Sequence, residues 1–202
     1  IRPSHSFKRL KMIVRKYLDD EFTINKQFKS IFGKNLDLLN PQTFNEKIQI
    51  QKLYNRDPRM VRLADKYLVR DYIKEIGHGS ILNELYNVCE HPEEINLNLL
   101  PDQFVIKCTH SWAANIICED KKRLNQVEIF LKLRNWMNNN FYYKKREWAY
   151  KYIKPRIVIE RYLGKDLKDY KFFCFLGMPK YIQVDSQRFG EHTRDIYDND
   201  WR

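Results

Sequence analysis

Apolar residues near the start of the chain recur every three or four positions, which is the spacing of an amphipathic helix. Phe7, Leu10, Val14 and Leu18 follow this spacing, and lysines and arginines occupy most of the remaining positions. Acidic residues gather near the end of the basic stretch, at 19–21. We therefore predict a basic helical segment over residues 1 to about 33.

The next apolar pattern begins after a helix-start signal. Thr43 and Glu46 have the spacing of a capping box, in which each side chain accepts a hydrogen bond from the other residue's backbone N–H. Pro58, after Asp57, suits the first turn of a second helix. The segment 65–67 predicts that the helix restarts after a bend, and Gly77 predicts where it ends.

Short apolar runs rich in β-branched and aromatic residues dominate the second half. The predicted strands are Phe104–Cys108, Asn115–Cys118, Ile157–Tyr162, Tyr170–Leu176 and Lys180–Asp185. Asn125 opens an amphipathic helix between the second and third strands, and Gly177–Pro179 is the predicted turn of a terminal antiparallel hairpin. Helices come first, and strands then surround one helix, so we predict an α+β fold.

Composition adds limits to this picture. The 202 residues are 43% hydrophobic, enough for a substantial core, and no apolar run approaches the ~20 residues of a membrane span. The chain begins without Met or a signal-type apolar stretch, so we interpret its start as processed or cut. Its four cysteines lack a C-x-x-C pair, which favours structural thiols in a reducing, cytoplasmic compartment.

A net charge of +11 indicates anionic partners: nucleic acid, anionic lipid, nucleotide phosphates or acidic sugars. The basic N-terminal helix either lies on a membrane surface or packs on the domain, and the acids at 19–21 favour packing. Peripheral contact with the inner membrane face stays an alternative location. The aromatic and basic stretch Phe141–Trp148 would suit single-stranded nucleic acid, but we favour a connector with its aromatics in the core. Nucleic acid is therefore not the expected partner.

Two charged residues end strand-like runs. Lys107 leaves the first predicted strand for a small-residue loop, and Glu160 lies in the third strand shortly before Gly164. A cation beside a loop can hold a phosphate, and strand-edge backbone near an acid suits a purine base. These residues point to nucleotide binding. The alternative is that both are ordinary solvated charges paired with surface neighbours.

Seven motifs in order resemble the TupA-like branch of the ATP-grasp superfamily over about Asn40–Arg202. They are Pro41–Lys47, Ala64–Tyr67, Pro101–Lys107, Lys154–Arg156, Glu160–Leu163, Asp169–Phe175 and Ile182–Asp185. The resemblance implies an α+β, two-lobed nucleotide-binding fold that follows an N-terminal helical segment and lacks the final metal-binding strands. It divides the chain into a helical segment, 1–57, and a truncated ATP-grasp-like domain, 58–202. That domain would have a lobe around 102–140 and a hinge and hairpin at 154–202.

The same resemblance implies a chemistry. Members of this family look like ATP-dependent carboxylate–amine ligases of cell-surface polysaccharide or teichuronopeptide biosynthesis. ATP would convert a carboxylate to an acyl phosphate, which an amine then attacks. The implied partners are ATP, an anionic glycan or carboxylate acceptor and an amine donor. The implied cofactors are ATP and Mg²⁺, with the metal ligands expected beyond residue 202.

Site residues also follow from the resemblance. The implied cofactor-binding residues are Lys66, Lys107, Glu160, Tyr162, Leu163 and Asp169, and no metal ligand is assigned. The two lysines look like the nucleotide lysines of the family, residues 160–163 resemble its adenine-binding hinge, and Asp169 would lie near the ribose or phosphates. The implied catalytic residues are Lys107, His110 and Lys171. His110 would orient a phosphate or, alternatively, cap a neighbouring backbone group.

The loop after Lys107 departs from the family pattern. Relatives carry glycines there, whereas residues 109–115 include Trp112 and two alanines, which resist the backbone conformations that cradle phosphate. Trp112 would cover the nucleotide as a lid or plug an inactive site. Two alternative functions remain: a degenerate nucleotide-binding relative without turnover, and a nucleotide-sugar glycosyltransferase with a metal on Asp198 and Asp200.

Overall fold

A computed structural model describes residues 16–186 and 191–202, and the chain divides after Arg161 into two compact units. Helices and antiparallel sheets make up these units, which confirms the predicted α+β class. Residues 1–15 of the predicted N-terminal helical segment, 1 to about 33, lie outside the described residues. Within the described ranges, no helix is both long and apolar enough to cross a bilayer.

The first unit combines α-helices with a four-stranded sheet. Its helices are α1 (Asp20–Phe32), α2 (Phe44–Tyr54), α3 (Arg59–Ala64), α4 (Leu68–Glu75), α5 (Gln126–Met137) and α6 (Tyr142–Lys145). Its strands are β1 (Leu85–Cys89), β2 (Phe104–Cys108), β3 (Asn115–Cys118) and β4 (Ile157–Arg161). The strand order is β1-β4-β2-β3, and each neighbouring pair is antiparallel. Strands β2 and β3 have the predicted bounds.

One face of this sheet carries the core of the unit. Phe104 and Ile106 of β2 and Ile159 of β4 are fully buried, and Ile129 and Leu133 of α5 pack in the same cluster. Because side chains alternate along a strand, the residues between these apolar positions lie on the opposite face. That opposite face carries the charged residues of interest.

The predicted capping box at α2 is confirmed. The Thr43 hydroxyl accepts the Glu46 N–H at 3.3 Å, and a Glu46 carboxylate oxygen accepts the Thr43 N–H at 2.8 Å. Lys34 donates to the other carboxylate oxygen at 2.7 Å. The Lys34 ammonium and the Thr43 backbone N–H lower the pKa of Glu46 to about 2. The Glu46 carboxylate therefore stays charged at neutral pH, and its hydrogen bonds at the N-terminus of α2 remain formed.

The substitution Thr43→Ala should lower the free energy of unfolding by about 1 kcal/mol, because an N-terminal backbone N–H of α2 loses its acceptor. Urea denaturation followed by tryptophan fluorescence measures this difference. The matched control is Thr43→Ser, which keeps the hydroxyl and should stay close to the parent protein. Equal losses in both variants would show that the threonine methyl group, and not the cap, is what matters.

The second unit is a three-stranded antiparallel sheet in the order β5-β6-β7. Its strands are β5 (Asp169–Phe175), β6 (Met178–Ser186) and β7 (Thr193–Tyr197). The predicted hairpin is confirmed, but the turn predicted at Gly177–Pro179 begins one residue earlier in the structure. Leu176 and Gly177 form the connection, with φ of 52° and 81°, and Met178 already pairs with Phe175. Two consecutive positive φ angles match the twist of a two-residue hairpin.

Candidate functional site

Lys107 and Glu160 form an ion pair on the sheet face opposite the core. Strands β2 and β4 pair Lys107 with Val158 and Val105 with Glu160, so the two charged residues are diagonal neighbours. The Lys107 Nζ lies 2.6 Å from Glu160 Oε2. The carboxylate side chain is only 8% exposed, whereas the lysine side chain is 32% exposed. The pair therefore presents its cation outward and holds its anion within the protein.

Lys66 lies beside the same pair, in the short bend between α3 and α4. Its ammonium group donates to the backbone oxygen of Cys108 at 3.2 Å and also to that of Ser111. Burial lowers the pKa of Lys66, and the positive charge of Lys107 lowers it further. The structure thus brings Lys66, Lys107 and Glu160 together, as the resemblance implied. Their roles towards a nucleotide stay predictions.

A buried acid fixes the bend that carries Lys66. Asp65 is fully buried, and its Oδ1 accepts the Tyr67 N–H at 2.8 Å and the Leu68 N–H at 3.3 Å. Its Oδ2 lies 3.4 Å from Nη1 of Arg156, whose guanidinium lies 5.6 Å from the centre of the Tyr67 ring. These contacts orient the start of α4 and hold Lys66 on the site face.

Arg70 is a site residue that the sequence analysis missed. Its Nη1 lies 3.3 Å from Glu160 Oε1, and its Nη2 donates to the Asn83 backbone oxygen at 2.5 Å. The side chain is only 11% exposed. Because Glu160 lies ninety positions further along the chain, the local sequence around Arg70 carried no signal of this contact.

The loop after β2 is closed by its own hydrogen bonds. Ser111 Oγ accepts the N–H groups of Ala113 at 3.1 Å and Ala114 at 3.0 Å, and the Ala114 oxygen accepts the Cys108 N–H at 2.9 Å. Glycine-rich phosphate loops direct such amides at the ligand. In this chain the amides of Ala113 and Ala114 already donate hydrogen bonds to Ser111 within the loop. These two amides are therefore not directed outward from the loop.

Trp112 lies at the tip of this loop, and half of its surface is exposed. Its ring meets Phe141 edge-on with the ring centroids 6.3 Å apart, and the Lys144 ammonium lies 5.7 Å from the Trp112 ring. These neighbours hold the indole at the surface. Whether it acts as a lid or a plug stays a prediction.

His110 occupies a buried position behind the loop. It is 1% exposed, its Nε2 lies 3.1 Å from the Trp136 backbone oxygen, and its ring meets Phe141 edge-on at 5.6 Å. Burial lowers the pKa of the imidazole, although the hydrogen bond to the Trp136 backbone opposes this effect. The contact seen here is the alternative left open by the sequence, a loop residue bonded to a backbone group. The catalytic role of His110 stays a prediction.

The second unit contains Lys171 and Asp169 within a charged cluster on its sheet. Lys171 Nζ lies 2.8 Å from Asp169 and also donates to Asp185. Asp185 further accepts from Arg194 Nε at 2.7 Å and His192 Nε2 at 3.0 Å. Lys171 and Arg194, the largest causes, hold the pKa of Asp185 far below its usual range, and Asp169 and Asp185 raise that of Lys171. Asp185 is thus the centre of a cluster that the sequence did not single out.

Tyr162 and Leu163 begin the second unit, directly after β4. Leu163 is half exposed and borders an open cavity of about 510 Å³, which is lined by residues 163–168 and Tyr170. Two lysines, Lys165 and Lys168, belong to this lining. A cavity of this size matches the lower range of small-molecule pockets. The predicted role of these residues in adenine binding stays a prediction.

The described residues do not fit a magnesium ion. Across 16–186 and 191–202, no group of three or more histidine, cysteine or acidic side chains could hold a metal. The Asp198 carboxylate accepts the N–H groups of Asp200 at 2.9 Å and Arg202 at 3.0 Å, so it caps a turn. This contact does not support the metal pair of the glycosyltransferase alternative.

A sequence profile described as TupA-like ATPgrasp matches residues 46–202. The matched range covers well over half of the chain, spans parts of both units, and includes Lys66, Lys107, Glu160 and Lys171. No curated protein and no solved structure matches the chain.

Proposed function

The chain belongs to the TupA-like ATP-grasp family, and on that basis we propose that it is an ATP-dependent carboxylate–amine ligase. Its pathway would be the biosynthesis of a cell-surface polysaccharide or teichuronopeptide. The observation that supports this proposal best is the outward-facing Lys107, paired with the buried Glu160 and accompanied by Lys66. An anionic nucleotide is the ligand that such an arrangement suits.

Charged and apolar residues alternate on the site face. Val158 and Val105 alternate with Glu160 and Lys107 across the two central strands, and Val158 is fully buried. The phosphates of a bound nucleotide would reach the ammonium groups on this face. Because two loop amides bond to Ser111, the lysines carry most of the phosphate recognition.

The proposed reaction has two steps. A carboxylate oxygen of the acceptor attacks the γ-phosphorus of ATP, the bond to the β-phosphate oxygen breaks, and ADP leaves. The amine nitrogen then attacks the carbonyl carbon of the acyl phosphate, inorganic phosphate leaves, and a proton passes from the nitrogen to solvent. Lys107 and Lys66 would bind and neutralise the phosphate oxygens, since phosphoryl transfer depends mainly on positioning and charge. Magnesium normally accompanies ATP in this chemistry, and no step here is assigned to it.

Thermal-shift measurements with ATP and magnesium test the proposal. At a ligand concentration of about 100 times Kd, the parent protein should gain about 2.7 kcal/mol of stability, and Lys107→Ala should gain much less. The matched control is Lys132→Ala, because Lys132 is an exposed residue of α5, which packs on the opposite sheet face. Equal shifts in parent and Lys107→Ala would remove Lys107 from the site.

Two further measurements separate the alternative functions. ATP binding without ADP release, in the presence of carboxylate acceptors and amines, would favour the nucleotide-binding relative without turnover. Stabilisation by UDP- or GDP-sugars in place of ATP would favour the glycosyltransferase. The acceptor, the amine donor, the cytoplasmic location and contact with the inner membrane face belong to the proposal.

A further inference from the structure

Glu160 has a separate cation at each carboxylate oxygen. Lys107 lies 2.6 Å from Oε2, and Arg70 lies 3.3 Å from Oε1. The two cations differ in accessibility, since the arginine side chain is 11% exposed and the lysine side chain 32%. The lysine faces the ligand side, and the arginine supports the carboxylate from within the protein.

This arrangement matters when Lys107 turns to a phosphate. If Lys107 were the only partner of Glu160, its movement would leave a buried carboxylate without a counter-ion, which costs several kcal/mol. Arg70 removes most of that cost, because its guanidinium remains charged and bonded to Glu160. The contact of its Nη2 with the Asn83 backbone oxygen fixes the guanidinium in place.

Lys66 does not share this freedom. Its ammonium already donates to the backbone oxygens of Cys108 and Ser111, so its movement would leave the carbonyl groups of two buried residues without their donor. Lys107 is bonded to a carboxylate that has a second partner. Of these two lysines, Lys107 is therefore the one that can move to a ligand at low cost.

We propose that Arg70 is a positioning residue that retains Glu160 while Lys107 transfers from Glu160 to a nucleotide phosphate. The proposal rests on the proposed function and deepens it, since it explains how an ion-paired lysine becomes available to the ligand. Without Arg70, Lys107 is the one ion-pair partner that Glu160 keeps among the residues that the structure describes. The phosphates then compete with that carboxylate for the lysine.

Isothermal titration calorimetry with ATP and with adenosine, at one ionic strength, tests this role. For Arg70→Met we expect ATP affinity to fall by about tenfold or more, which corresponds to about 1.4 kcal/mol. Adenosine, which carries no phosphate, should lose less than about threefold, and Arg70→Lys should recover part of the ATP affinity. Arg134→Met is the matched control, because Arg134 is an exposed arginine of α5 paired with Glu93.

A double-mutant cycle identifies the route of the effect. In a Lys107→Met background, Arg70→Met should weaken ATP binding by less than about threefold, because the lysine through which it acts is gone. A full effect in that background would overturn the proposal, as would equal losses for ATP and adenosine in the single variant. If Arg70→Met does not fold, ATP affinity is compared for Arg70→Lys with and without Lys107→Met.

The parent protein separates this inference from the proposed function. If the parent binds ATP and Arg70→Met binds it equally well, only the positioning role fails. If the parent binds neither ATP nor adenosine, the proposed function fails and the positioning role fails with it.

Discussion

Replacement of Glu160 by leucine should lower the free energy of unfolding by about 3 to 5 kcal/mol, which is typical for removing one member of a buried ion pair. The variant leaves two cations, Lys107 of β2 and Arg70 of α4, without the carboxylate that joins them. Arg70 is nearly buried, so solvent can compensate it only in part. Urea denaturation of the parent and the variant measures the loss.

Two controls isolate the charge of Glu160. Glu160→Gln keeps an oxygen acceptor and should fall between the parent protein and Glu160→Leu. Glu128→Leu removes an exposed carboxylate that pairs with Lys132 on α5, and its effect should stay within about 0.5 kcal/mol. A Glu160→Leu variant as stable as Glu128→Leu would show that burial of the apolar side chain replaces the ion pairs, and the electrostatic account of this face would be wrong.

Local sequence signals predicted much of the fold because the interactions behind them are local. The capping box of Thr43 involves atoms three residues apart, and Asn125 caps α5 through the Glu128 N–H in the same way. Strand β2 could be predicted because its apolar residues alternate between a buried and a partly exposed face. In each case the residues that form the element also carry the information about it.

The strands that were missed depend on distant partners. Strand β1 contains Asn87 and has an irregular register near Leu85, and it becomes a strand by pairing with β4. Strand β7 is mostly polar and exposed, and it pairs with β6. Neither segment has the apolar alternation that marks a strand in isolation, so sequence pattern alone could not find them.

The candidate site shows the same division. Lys107 and Glu160 could be predicted, since each lies one residue before the end of a recognisable strand. Arg70 could not be assigned, because its importance comes from contact with a carboxylate ninety positions further along the chain. The hydrogen bonds from the Ala113 and Ala114 amides to Ser111 could not be predicted either, since the sequence shows only that the loop has no glycines.

Replacement of Arg146 by methionine should destabilise the protein by about 3 to 5 kcal/mol, because Arg146 anchors α1 to the rest of its unit. The side chain is 1% exposed, its Nε lies 3.3 Å from Asp20, and its Nη2 donates to the Leu18 backbone oxygen at 2.9 Å. Methionine would fill most of the volume but leave Asp20 without its guanidinium partner. Thermal and urea unfolding, followed by circular dichroism, measure the loss.

The backbone at Arg146 sharpens this test. Its φ of 57° is left-handed, a conformation that favours glycine over other residues. Arg146→Gly therefore relieves the unfavourable backbone conformation, although it removes the same ion pair. If the lost side-chain contacts outweigh this gain in backbone free energy, Arg146→Gly should be at least as destabilising as Arg146→Met. The neighbouring Lys145 is exposed, and Lys145→Met should change stability by less than about 0.5 kcal/mol. Arg146→Met with an effect as small as Lys145→Met would show that α1 docks without this arginine, through other contacts such as the apolar ones of Ile24 and Phe28.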